Sequence, residues 1–72
     1  MTVGDLVTVM CEFPAGTTVK VKEKTGMIID VSKNNDCLVR LTNGDEWVFS
    51  PNDNEIRLAT DEEIRNALVE CL

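Results

Sequence analysis

Seventy-two residues leave room for one hydrophobic core and no second domain, so the chain is read as a single unit over 1–72. Hydrophobic residues at 43 % and charged residues at 28 % are those of a folding chain and exclude a disordered or low-complexity one. Thirteen acids against seven bases leave a formal net charge of −6, which works against general attraction to phosphate backbones and anionic membranes.

In chain order, Met1-Thr2-Val3-Gly4-Asp5 carries no basic leader, and no apolar run reaches the roughly 20 residues of a membrane span, so a cytoplasmic location is expected. Asp5 to Met10 is rich in β-branched residues and predicts a first strand, with Val7 and Val9 toward the core and Leu6 and Met10 facing the other way. Glu12 to Gly16, with Pro14 and Gly16, predicts a loop. Thr17 to Lys24 alternates, Val19 and Val21 on one side and Thr18, Lys20, Lys22 and Lys24 on the other, as in a half-buried ribbon or strand.

Gly26 to Val31 predicts a second compact strand. The polar run Ser32 to Asp36 predicts a turn in which the Ser32 hydroxyl bonds local backbone. Cys37 to Leu41 predicts the next strand, and Asn43-Gly44 a type I′ hairpin to Glu46–Phe49, because both residues accept positive φ. Pro51 stops further pairing, so one helical turn should precede a short last strand over Glu55–Leu58.

Thr60-Asp61-Glu62-Glu63 has the spacing of a capping box, in which Thr60 accepts from the amide of Glu63 and the Glu63 carboxylate reaches back. The helix it starts has acids in its first turn, favourable to the helix dipole. Ile64, Ala67, Leu68, Cys71 and Leu72 recur at helical spacing and form one apolar stripe. The stripe must be covered, by the chain's own barrel or by a second copy through Leu68 and Leu72.

Five short strands with closely spaced turns predict a mainly β fold, a small barrel or sandwich. Val3-Gly4-Asp5-Leu6-Val7-Thr8-Val9 resembles the opening strand of SH3-like barrels. Gly26-Met27-Ile28-Ile29-Asp30-Val31 through Val39-Arg40-Leu41 resembles the KOW motif, in which a glycine precedes alternating apolar residues and a second apolar pair follows a polar turn. Gly44 and the Pro51 to Ile56 segment fit the same pattern. The resemblance covers residues 3–59 and implies an all-β, SH3-like five-stranded barrel with a short C-terminal α-helix over 60–72. Proteins of this group bind RNA, components of the ribosomal and transcription machinery, and peptides, and many small phage-encoded or accessory proteins share the barrel. This chain departs from the nucleic-acid binders in being acidic.

The chemistry-bearing residues argue for binding without catalysis. There is no histidine and no tyrosine, and no spacing pairs a nucleophile with a base. Cys11, Cys37 and Cys71 are odd in number and lack C-x-x-C spacing, so neither a disulfide framework nor a zinc site is expected and each is read as a small apolar residue. No calcium-loop spacing or phosphate loop exists, and no cofactor is expected.

Two surfaces remain. Trp47 and Phe49 share a face of one strand opposite Val48, so one set faces the core and the other faces out or under the helix. With Asp45 and Glu46 this pair forms the leading candidate for a protein-binding site, suited to an adaptor or inhibitor of a larger assembly. The alternative is a KOW-like RNA- or DNA-binding domain using Lys20, Lys22 and Lys24, residues that serve equally well to keep an edge strand from aggregating.

Overall fold

The computed structural model describes residues 1–12 and 24–71. The loop with Pro14 and Gly16, most of the alternating ribbon with Lys20 and Lys22, and Leu72 lie outside the described residues, as does the side chain of Cys71. Along the rest run β1 (Leu6–Val9), β2 (Thr25–Val31), β3 (Cys37–Leu41), β4 (Glu46–Phe49), a 3₁₀ turn (Pro51–Asp53), β5 (Ile56–Leu58) and α1 (Asp61–Cys71).

The strands form one antiparallel sheet in the order β4-β3-β2-β1-β5. β4 and β5 stand at its two ends and do not pair with each other, so among the described residues the sheet is open. The fold is mainly β with a C-terminal helix, as the strand pattern predicts.

Alternation decides which side chains are buried. Val7 and Val9 of β1, Ile28 of β2, Cys37, Val39 and Leu41 of β3, Phe49 of β4 and Ile56 of β5 make the core on one face. Cys11, Val31 and Trp47 pack against it. Ile28 and Val31 are three residues apart and both turn toward this core, which strict alternation forbids. The register shift between Ile28 and Asp30 resolves this: Ile29 is an extra residue in β2, a bulge that puts Val31 back on the core face opposite Cys37.

Gly26 sits between Val7 of β1 and Leu41 of β3. A Cβ there would collide with the Arg40 carbonyl oxygen and stand 3.0 Å from Val39 Cγ1. Absence of a side chain is therefore what lets β2 and β3 approach at this point.

The β3–β4 hairpin differs from expectation. Leu41 N–H donates to Asp45 O at 2.8 Å and Gly44 N–H to Leu41 O at 3.0 Å, leaving a three-residue loop, Thr42 to Gly44. Only Gly44 of its residues has positive φ, at 92°. Asn43 instead accepts the Asp45 amide at its Oδ1, 2.9 Å. That side-chain bond stabilises an Asx-type turn, so the loop closes as a turn followed by a left-handed glycine and not as type I′. The Ser32 hydroxyl accepts from the amides of Asp36 (3.1 Å) and Asn34 (3.3 Å), as predicted for a turn serine.

Candidate functional site

Helix α1 lies on the sheet face opposite the core, and Glu63 both caps it and ties it to the sheet. The capping box forms as its spacing predicts: Thr60 Oγ1 accepts from the Glu63 amide at 3.2 Å, and Glu63 Oε1 accepts from the Thr60 amide at 2.9 Å. Glu63 also accepts from Arg57 of β5, Nη1 to Oε1 at 2.7 Å and Nη2 to Oε2 at 2.9 Å. Arg57 pairs with Thr8, whose Oγ1 lies 3.3 Å from Thr25 Oγ1, so a small polar layer sits where the helix begins. Arg57 and, second, the Thr60 amide hold the Glu63 carboxyl well below the usual carboxylate range, at about 2.

Beyond that anchor the helix only partly covers the sheet. Ile64 and Ala67 are half-buried, whereas Leu68 remains 62 % exposed. Between the helix and the outer face of β2 and β3 runs a groove of about 420 Å³. Leu6, Met27, Ile29, Ile64, Ala67 and Leu68 supply its apolar lining, with Arg40, Thr42 and Gly44 along the side nearer β4. Met27 is 45 % exposed in this setting. Thr42 adds a buried hydroxyl oxygen with no hydrogen-bond partner.

The residues singled out from sequence are distributed differently. Phe49 is a core residue, 5 % exposed, and Trp47 is half-buried against the core, while Val48 between them is 64 % exposed. The aromatic pair thus turns inward, and of the four proposed contacts only Asp45 and Glu46 are exposed. Glu46 Oε2 accepts from Arg40 Nη2 at 2.9 Å. Lys24 is half-buried immediately before β2, and its companions Lys20 and Lys22 lie outside the described residues. Leu68 lines the groove, whereas Leu72 is outside the described residues.

Sequence reasoning missed the groove as a unit. Two signals for it existed separately, the outward assignment of Leu6 and the apolar stripe of the helix, but nothing local to either says that they meet. Ile29 was hidden by the bulge, which breaks the period on which face assignment rests.

Burial pushes the Cys37 thiol above its ordinary range, and its Sγ lies 3.6 Å from Asn35 O, both suited to an inert core thiol. Among the described residues no three His, Cys, Asp or Glu side chains gather as metal ligands, and no helix is long and apolar enough to cross a membrane. Compared with protein families, with curated proteins and with solved structures, the chain matches none. The arrangement is an apolar cleft on a chain whose formal net charge is −6.

Proposed function

We propose that this chain is a small non-catalytic protein-binding module, an adaptor or inhibitor of a larger assembly, on an SH3-like barrel, and that the groove beside α1 receives the apolar face of a basic partner segment. The reading is carried by one observation: the helix stops short of covering the sheet, leaving Met27 and Leu68 exposed at an apolar cleft of about 420 Å³. A cleft of that size falls within the roughly 300–1,000 Å³ of typical ligand pockets. Exposed methionine and leucine beside a groove suit an amphipathic segment with apolar anchors three or four residues apart.

Charge selects among occupants. A net charge of −6 repels a second copy and favours a partner carrying Lys or Arg around its apolar residues. The same charge weighs against the nucleic-acid reading. The SH3-like assignment is supported by the strand order, with β1 between β2 and β5, and by the 3₁₀ turn that joins β4 to β5.

The test is titration with a synthetic amphipathic Leu/Lys helical peptide, followed by amide chemical shifts, with the uncharged Met27→Gln and Leu68→Gln as variants at exposed positions. Saturable shifts at Ile29, Ile64 and Leu68, about tenfold weaker binding in each variant, and weakening with salt are expected. Shifts elsewhere, or unchanged affinity in folded Met27→Gln, would remove the groove as the site.

A further inference from the structure

The two ends of the open sheet are not equivalent, and the difference is set by backbone hydrogen-bond parity. Leu41 donates to Asp45 O, so that pair is hydrogen-bonded, and in an antiparallel ladder such pairs alternate. Along the register Arg40↔Glu46, Val39↔Trp47, Leu38↔Val48 and Cys37↔Phe49, the groups of Trp47 and Phe49 therefore turn toward β3. Those of Glu46 and Val48, two N–H and two C=O, turn away from it. The short Arg40–Glu46 contact of 2.9 Å fits its place in a non-hydrogen-bonded pair, where side chains lie closer.

At the other end, Met10 N–H donates to Glu55 O and Ala59 N–H to Leu6 O, so Ile56 and Leu58 are the outward residues of β5. That edge is blunted. β5 has only three residues, and the Leu58 carbonyl already accepts from Arg57 Nη1 at 3.1 Å. In β4 no proline, lysine or bulge interrupts the outward groups of Glu46 and Val48, and among the described residues none of these groups has a partner. What guards this four-residue edge is the negative charge of Glu46, which repels a like-charged strand and admits a basic one.

We propose that the β4 edge is a strand-addition site for an extended basic segment of another protein, which pairs with the outward backbone groups of Glu46 and Val48. Side chains define the occupant. Val48, 64 % exposed, continues an apolar row from Leu38 on the outer face, so the residue opposite it in the added strand is β-branched and apolar. Two positions along, opposite Glu46 and beside Asp45, the added strand carries Lys or Arg, since both acids are exposed. Arg40 engages Oε2 of Glu46 and Asn43 Nδ2 donates to Oδ2 of Asp45 at 3.1 Å, which leaves Oε1 of Glu46 and Oδ1 of Asp45 for the incoming base. A second copy of this chain is the disfavoured occupant, because each copy carries a net charge of −6 and brings acids to the same edge. The site is distinct from the groove: it uses backbone groups of β4, and the two share only Arg40, which lines the groove and bonds Glu46.

The probe is a synthetic octapeptide repeating Lys-Thr-Val-Thr, with a Glu-Thr-Val-Thr repeat as control. Amide hydrogen exchange is read residue by residue with and without peptide. Slowing of Glu46 and Val48 by about tenfold or more with the lysine peptide, and not with the glutamate peptide, is expected. Val48→Pro removes one outward donor at a position where the fold does not use it, and Val48→Lys places a like charge against the peptide; both should abolish the protection, whereas Met27→Gln should leave it intact. Three outcomes would overturn the proposal: Glu46 and Val48 amides already protected in the free protein, no protection at saturating lysine peptide, or equal protection by the glutamate peptide. Persistence of protection in both Val48 variants would do so as well.

Discussion

Glu63 ties the first turn of α1 to the last strand through a two-pronged contact with Arg57, Nη1 to Oε1 at 2.7 Å and Nη2 to Oε2 at 2.9 Å. The same carboxylate accepts the Thr60 amide, so one side chain both caps the helix and docks it on the sheet. Without that docking the orientation of α1 over β2, and with it the groove, would lose its anchor.

This contact makes stability pH-dependent with a definite sign. Glu63 titrates at about 2 in the folded protein against an ordinary value of 4.5. On acidification the unfolded chain takes up the proton first, so the stabilisation is full above about pH 4.5 and is lost as pH falls toward 2. Denaturant titrations at pH 7 and pH 3 should show wild type losing more stability than Glu63→Gln by up to about 1 kcal/mol, the scale of a solvent-screened pair. Equal losses in the two proteins would mean that the pair does not hold in solution.

Thr60→Ala removes the hydroxyl that accepts the Glu63 amide. Loss of such a cap costs about 1 kcal/mol, which for a domain of this size lowers Tm by roughly 4–8 °C. Thermal melting followed by circular dichroism reads this directly, and an unshifted melt would show that the helix does not need its cap.

Gly26→Ala should be among the most damaging small substitutions. Its Cβ would meet the Arg40 backbone carbonyl, which cannot swing aside as a side chain can. Overpacking of this kind costs roughly 1–3 kcal/mol, against roughly 3–5 kcal/mol of total stability for so small a core. A large fall in the urea midpoint is expected; an unchanged midpoint would show that β2 and β3 can part without cost.

Cys37 is 1 % exposed with its thiol pushed up by burial, whereas Cys11 is half-buried. Brief alkylation of the native protein, read by peptide mass spectrometry, should label Cys11 well before Cys37. Comparable labelling of Cys37 in native conditions would contradict its place in the core.

Much of the architecture comes from local rules that are written in the sequence. Val7 and Val9 are inward because β1 alternates, Pro51 ends β4 because it lacks an amide, and Thr60 with Glu63 starts the helix because a capping box needs only a four-residue spacing. The Asn43-Gly44 turn was legible as a hairpin but not as a turn type, since the Asn43 side chain, in bonding the Asp45 amide, competes with the backbone geometry its dipeptide favours.

The facing of β4 and of the end of β2, and the open edges, were decided by the tertiary structure. Trp47 and Phe49 share one face by alternation, yet only the packing of β4 against β3 says that this face is the core. The bulge at Ile29 reverses the facing of Asp30 and Val31 at the end of β2, and no local pattern announces such an extra residue. The groove joins Leu6, Met27 and Leu68, and the β4 edge depends on which backbone groups β3 leaves unused. Both arise from pairings between residues distant in the chain, where hydrophobic period and turn chemistry carry no information about who the neighbour is.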